Sequence, residues 1–433
     1  MSHEADMSRR TSPCLWTPIS PSGLVPCNRY KHACCAHGDS VYLLGGRESA
    51  LLRDFWKYNV ARNEWVELDC SGDESPDELE GHSMVAHQGC LYVFGGMIDS
   101  AYSERKTPLW LYDTGKDRWG QLQWRCWGLQ NPEPVNRKGH SAVVFQSAMY
   151  IYGGYIDMKG SSQDFWKFDF DAREWSALKP AAGRARPGPR HGHSAVVHLD
   201  SMYLFGGLMG LREQRDFWRW SFSNHTWCTI KSHCGPPRLV GHSVGVFRDT
   251  MLLFGGGESQ GSPNSALWKF SFASRSWEKL SALLGMPPPC KVHHCSTGLG
   301  PGFEPSSCAF AAGDEGPFGA LERSSSWPFR MRRSSAPISR PDCPAGAMEL
   351  DTFRTVGDVD CLEKQSNCQK RSAPCGSRAP GEEVSGSHRD SKEPGAKEES
   401  IVHHLPDLLL VTGGKPLGGQ AGISLWMMIL TDL

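Results

Sequence analysis

The sequence predicts an all-β chain folded as a six-bladed propeller, and three observations predict it. A double glycine closes a run of strand-forming residues five times, in VYLLGG (41–46), LYVFGG (91–96), MYIYGG (149–154), MYLFGG (202–207) and MLLFGG (251–256). A histidine stands thirteen residues ahead of the first glycine in each case: His32, His82, His140, His193 and His242. Downstream, Trp56, Trp110, Trp166, Trp218 and Trp268 are each followed nine residues later by Trp65, Trp119, Trp175, Trp227 and Trp277. Spacing within a unit is constant, while the interval between units varies from 49 to 58 residues. Rigid strands joined by tolerant loops produce that combination.

Each unit reads as four short strands. In the fourth unit they are HSAVVH, SMYLFGG, DFWRWSF and TWCTI. All are rich in β-branched and aromatic residues and are bounded by turn formers. The glycine pair ends the second strand, where the backbone must turn or approach a neighbour closely. The histidines recur once per unit and are read as structural, each hydrogen-bonding a neighbouring turn. The tryptophans are apolar plates suited to the space between sheets. A four-stranded sheet of this size cannot bury both faces alone, so such sheets stack radially.

A sixth unit opens at His293-His294-Cys295, but its double glycine arrives only at Gly413-Gly414, 119 residues after His294. SLWMMIL (424–430) then supplies a third strand, with Trp426 in the place of Trp268. The fourth strand is missing there. Trp16 has the spacing of a fourth-strand tryptophan, so strand 14–19 is expected to complete the sixth blade and close the ring. Closure removes the exposed edges of an open array. The expected organisation is a flexible 1–13, propeller over 14–299 and 405–433, and a disordered insertion at 300–404, rich in Ser, Pro, Gly and charge. Alternatively, 300–404 is a spliced segment that breaks the sixth blade.

The histidine, double glycine, aromatic-aspartate strand and spaced tryptophan resemble the kelch motif, over roughly 15–299 and 405–433. The resemblance implies a protein-binding scaffold or adaptor that presents loops at one end of the ring. Carried over by position, it implies a face made by Arg47, Met97, Tyr155, Leu208, Gly257 and Lys415 after the glycine pairs. Lys31, Lys138 and His191 would join them from just ahead of the histidines. Tyr102 in loop 97–108, and Trp124 and Trp127 in loop 120–137, would rim one end. By the same analogy the insertion leaves from the opposite end. Two other readings stand beside this one: a ubiquitin-ligase substrate receptor recruited by a short motif, and an enzyme or small-molecule binder using the channel. From the few residues ahead of Trp16, the BTB or F-box domain that such receptors often carry is not expected here. Channel residues discriminate, since small apolar ones favour a scaffold and converging His, Glu and Arg favour chemistry.

Composition narrows the rest. With 46 basic and 47 acidic residues the net charge is −1, so no global field attracts nucleic acid or an acidic membrane. No apolar run is long enough for a spanning helix and no secretory signal is seen. A cytoplasmic, possibly nuclear, unsecreted protein with reduced cysteines is expected. The 16 cysteines contain no Cys-x-x-Cys pair. Neither His293-His294-Cys295 with Cys290 nor Cys34-Cys35 has zinc-site spacing, so no metal or cofactor is expected; Cys34 and Cys35 read as apolar packing. No nucleophile elbow or phosphate loop occurs, and Gly255-Gly256-Gly257 is a turn. Arg332-Arg333-Ser334-Ser335-Ala336-Pro337 resembles a basophilic kinase site and a phosphoserine-adaptor ligand, with Ser334 or Ser335 modified.

Overall fold

The computed structural model describes residues 15–97, 107–122, 133–179, 185–232, 234–257, 262–281, 289–303, 406–419 and 422–430. Ser334, Ser335, Tyr102, Trp124, Trp127 and nearly all of 300–404 lie outside the described residues, as does 1–13.

Six four-stranded antiparallel sheets form the ring. Each runs outward from an innermost strand that opens just after the repeat histidine. Blade 1 comprises Ala33–His37, Ser40–Arg47, Leu51–Asn59 and Glu64–Leu68. Blades 2 to 5 begin at Ser83, Ser141, Ser194 and Ser243 and end at Leu122, Ala177, Thr229 and Leu280. Blade 6 assembles Cys295–Leu299, Leu408–Thr412 and Leu425–Ile429 with Trp16–Pro18 as its outermost strand. Trp16 pairs with Met428 and Pro18 with Trp426. The N-terminal strand therefore closes the ring, and the sixth blade is whole rather than broken by 300–404. The propeller also reaches past Leu299. A turn at Pro301–Phe303 is tied down by Gly302 N–H donating to Asp407 Oδ1 (2.6 Å) and by Phe303 against Phe247 (5.2 Å).

Register is identical in all six blades. The residue two before the glycine pair lies opposite the first tryptophan, as in Leu43 with Trp56, Leu253 with Trp268 and Val411 with Trp426. The described core consists of six apolar clusters, one at each seam between blades. The second tryptophan of a blade packs into the seam with the preceding blade: Trp119 meets Phe55 at 4.9 Å and Trp227 meets Phe165 at 5.4 Å. Trp16 does the same work for blade 6, 4.9 Å from Phe254 and 1% exposed.

The glycine pair is explained by what surrounds it. Gly413 and Gly414 sit at φ +63° and +91°. A Cβ on Gly413 would fall 2.6 Å from His32 Cε1 of the next blade, and one on Gly414 2.6 Å from Cβ of the blade's own His294. Each pair is thus sandwiched between two repeat histidines. Only glycine combines that backbone with that clearance.

The repeat histidines are buried, as their regular recurrence requires. Their hydrogen bonds differ from the expected turn contacts. His140 Nε2 meets Ser83 Oγ at 2.8 Å, His193 meets Ser141 at 2.9 Å, and His294 meets Ser243 at 2.7 Å. At these three seams the partner is the serine following the previous blade's histidine, which ties adjacent blades together; the ring nitrogens of His32, His82 and His242 have no such partner among the described residues. Burial, foremost, drives His82, His140, His242 and His294 down to a pKa of about 3, and His193 well below its ordinary value.

Candidate functional site: the mouth of the channel

Loops from the fourth to the first strand and from the second to the third meet at one end of the ring. Their innermost residues form a closed wheel of backbone hydrogen bonds. Gly81 N–H donates to Lys31 O, Gly139 to Gly81, Gly192 to Gly139, Gly241 to Gly192, His293 to Gly241, and Lys31 to His293, over 2.7–3.0 Å. All six residues have positive φ, between 55° and 65°. Four are glycine, the residue that accepts this conformation without strain. Lys31 and His293 are the two that carry side chains, and both line the mouth.

Above the wheel lies a depression of about 600 Å³. Of the residues expected on this face, Lys31, Lys138, His191, Tyr155 and Leu208 line it. The rest are placed differently. Arg47 is not among the lining residues but holds one of them, its Nε 2.7 Å from Glu80 Oε2. Met97 packs into the apolar seam between blades 1 and 2, its backbone held by Asn136. Gly257 is taken up in bridges to Val240 and Pro263, and Lys415 Nζ lies 4.1 Å from the centre of the Tyr30 ring.

Most charged groups of the depression are paired. Glu80 is shared by Lys31 (3.6 Å) and Arg47, and Asp157 pairs with Lys138 (3.4 Å). Burial pushes Glu80 up, but the Arg47 hydrogen bond and the two cations outweigh it, so its pKa lies below the usual value. His293 is held down at about 4 by burial and by Lys31 and Lys415, and His191 is lowered by burial and Lys31. His191 Nδ1 bonds Ser161 Oγ at 2.9 Å. These groups neutralise one another instead of leaving an acid and a base aimed at a common point.

Two hairpins rise from the second-to-third-strand loops, Tyr155–Ile156 with Gly160–Ser161 and Leu208–Met209 with Arg212–Glu213. Each tip holds one open apolar side chain: Met158, between Asp157 and Lys159, is 84% and Leu211 95% exposed, with Tyr155 41% exposed beside them. Sequence reasoning missed Met158, Leu211, Glu80 and Asp157. Aligning the residue two before each histidine would have found Glu80. The hairpin tips are off the repeat and have no such signal.

A family model described as the FBX42 β-propeller domain matches residues 29–227. The chain is 26% identical over 332 residues to human host cell factor 2, covering 66% of this chain and 40% of that one. It is 25% identical over 308 residues to the Drosophila melanogaster homolog of leucine-zipper-like transcriptional regulator 1, covering 67% of this chain and 30% of that one. Xenopus laevis kelch domain-containing protein 10 is 25% identical over 312 residues, covering 66% and 71%. The propeller is of the kelch-repeat type. The match spans well under half the length of the two longer relatives, so it speaks for the propeller they share. In this kelch propeller no described helix is long and apolar enough to cross a membrane.

Proposed function

We propose that this propeller is a non-catalytic interaction module that holds a segment of a partner protein over the channel mouth. The observation that carries the reading is the pair of open hairpin-tip side chains, Met158 and Leu211, standing beside Tyr155 at a depression where Glu80 and Asp157 are paired with cations. Apolar side chains held out in water by a rigid scaffold gain most when a partner covers them. Paired charges fix orientation around such an anchor. The channel-enzyme reading is the weaker one, because the described mouth offers four glycines at its throat and two of its carboxylates, Glu80 and Asp157, are paired with cations. Scaffold or adaptor describes the role; the process it serves is a matter for the partner's identity.

Photo-crosslinking tests it. A crosslinker at Leu211 should yield an adduct with a partner in cells, and the Tyr155→Ser/Met158→Ser pair should abolish it without changing the melting temperature. A crosslinker at Leu199, 56% exposed in a first-to-second-strand turn at the opposite end, should yield none. Adducts from Leu199 alone, or none from Leu211, overturn the proposal.

A further inference from the structure

The seam where the ring closes differs from the other five. At those seams a repeat histidine faces Ser or Ala of the preceding blade: Ala33, Ser83, Ser141, Ser194 or Ser243. At the closing seam His32 faces Cys295, the first residue of the innermost strand of blade 6. Two residues beyond His32 stands Cys34; Met84, Ala142, Ala195, Val244 and Ser296 occupy that place in blades 2 to 6. Both departures from the repeat are thiols, and they meet. A ring nitrogen of His32 and the sulfurs of Cys34 and Cys295 all lie within 4.8 Å of one another.

Three further observations point to a ligand. Cys34 and Cys295 are free thiols, 261 positions apart in the chain, joined by ring closure alone. His32 is 5% exposed, and neither of its ring nitrogens has a hydrogen-bond partner outside this trio among the described residues. His140, His193 and His294 each bond a serine, while His82 and His242 are also buried without a ring partner among the described residues; of His32, His82 and His242, His32 is the one whose ring lies beside two thiols. Burying an imidazole without a partner is costly unless something else satisfies it. Two sulfurs and one imidazole suit a thiophilic d10 cation, with donor distances of about 2.3 Å for sulfur and about 2.0 Å for nitrogen.

We propose that His32, Cys34 and Cys295 form a Cys2His site for one thiophilic d10 cation, Zn2+ or Cu+, that clasps blade 6 to blade 1. Binding exchanges two thiol protons for the cation, forming two metal–sulfur bonds and one metal–nitrogen bond. Cys295 gives up the contact its sulfur makes with His32 O at 3.2 Å. Because the ligands come from both sides of the closing seam, metal occupancy stabilises the closed ring.

The repeat supplies the test variants. Cys295→Ser and Cys34→Ala install residues that other blades carry at the same places, so the fold should persist. The full chain, reduced, is titrated with Co2+ as the Zn2+ probe and, separately, with Cu+ against a chromophoric chelator. The chain's other cysteines contribute background, so the readout is the difference from wild type. The proposal expects one equivalent, with sulfur-to-cobalt charge-transfer absorption in the cobalt arm if Zn2+ is the ion, lost in both variants. Loss of an outer-shell partner already weakens such sites about 10–100-fold, and loss of a ligand should exceed that. Metal should raise the melting temperature of wild type but not of either variant. Equal uptake by wild type and both variants in both arms overturns the site. So does a Cys34–Cys295 disulfide in protein taken from cells without reductant, because oxidised sulfurs do not ligate.

Discussion

Blades 1, 3 and 4 differ from blades 2, 5 and 6 in how they fill the same hole. Three residues before the histidine, the first group has Arg29, Arg137 and Arg190, each at most 1% exposed. Each sends Nη1 to the first glycine carbonyl of its pair, Gly45, Gly153 and Gly206, and reaches an aspartate two before the third-strand tryptophan. Those ion pairs measure 2.6 Å to Asp54, 3.2 Å to Asp164 and 2.8 Å to Asp216. In the second group the arginine becomes Leu79, Leu239 or Lys291 and the aspartate becomes Pro108, Ala266 or Ser424. Cation and carboxylate are present together or the carboxylate is absent. A buried ion pair and an apolar filling of one volume have similar net stability, whereas half a pair is costly. The repeat keeps both solutions and mixes them only in blade 6, where Lys291 donates to Pro416 O at 2.8 Å without a carboxylate.

Acid should produce the largest effect and separate the two groups. The buried histidines have folded pKa values far below their ordinary one, so the unfolded chain takes up their protons first. Stability is therefore full above about pH 6.5 and falls as pH drops below it, by up to about 1.4 kcal/mol per pH unit for each histidine. That window touches clamped and unclamped blades alike. The aspartates add a second one. Burial raises Asp54 and Asp216, but Arg29 and Arg190, with Trp56 and Trp218, pull them lower still. Their contribution is present above the unfolded carboxylate value of about 3.9 and is lost as pH falls below it. Urea midpoints should decline steadily from pH 7 to 5; a flat profile there would show that the histidine ring is not held neutral.

Asp216→Ala should come next, costing about 3 kcal/mol. This is the low end for breaking a buried pair, because Asp216 is about a third exposed while Arg190 stays buried without its partner. Arg190→Leu/Asp216→Ala copies blade 5 and should recover most of that loss. If the double variant is as unstable as the single one in urea, the two groups of blades are not alternative solutions.

Lys291→Leu should have the smallest effect. Burial holds the Lys291 pKa below its ordinary value, so its cation is stabilised by carbonyls alone. Copying blades 2 and 5 should leave the melting temperature within about 2 °C of wild type, equivalent to about 1 kcal/mol at an unfolding entropy of about 2.1 cal/mol/K per residue. A drop several times larger would show that the Pro416 contact organises the sixth blade.

Much of this was readable in advance. The histidine, glycine and tryptophan spacing set the strands, their register and the closing role of Trp16, because a short-range repeat writes local geometry into linear distance. The Asp-Phe-Trp runs marked blades 1, 3 and 4, though not the arginines they bind. Five of the expected face residues come to the mouth: Tyr155 and Leu208 directly after their glycine pairs, Lys138 and His191 two before their histidines, and Lys31 one before His32. Met97 and Arg47 share the first of those offsets and still turn elsewhere, because a side chain's direction depends on what its neighbours already fill. The apolar tips Met158 and Leu211 lie in loops the repeat does not govern. His32 carries the repeat spacing, but nothing along the chain links it or Cys34 to Cys295 as a ligand set. Sequence alone determined that six blades would form and close. The tertiary structure decided which residues from the two ends of the ring would meet, because closure converts a separation along the chain into contact at one seam.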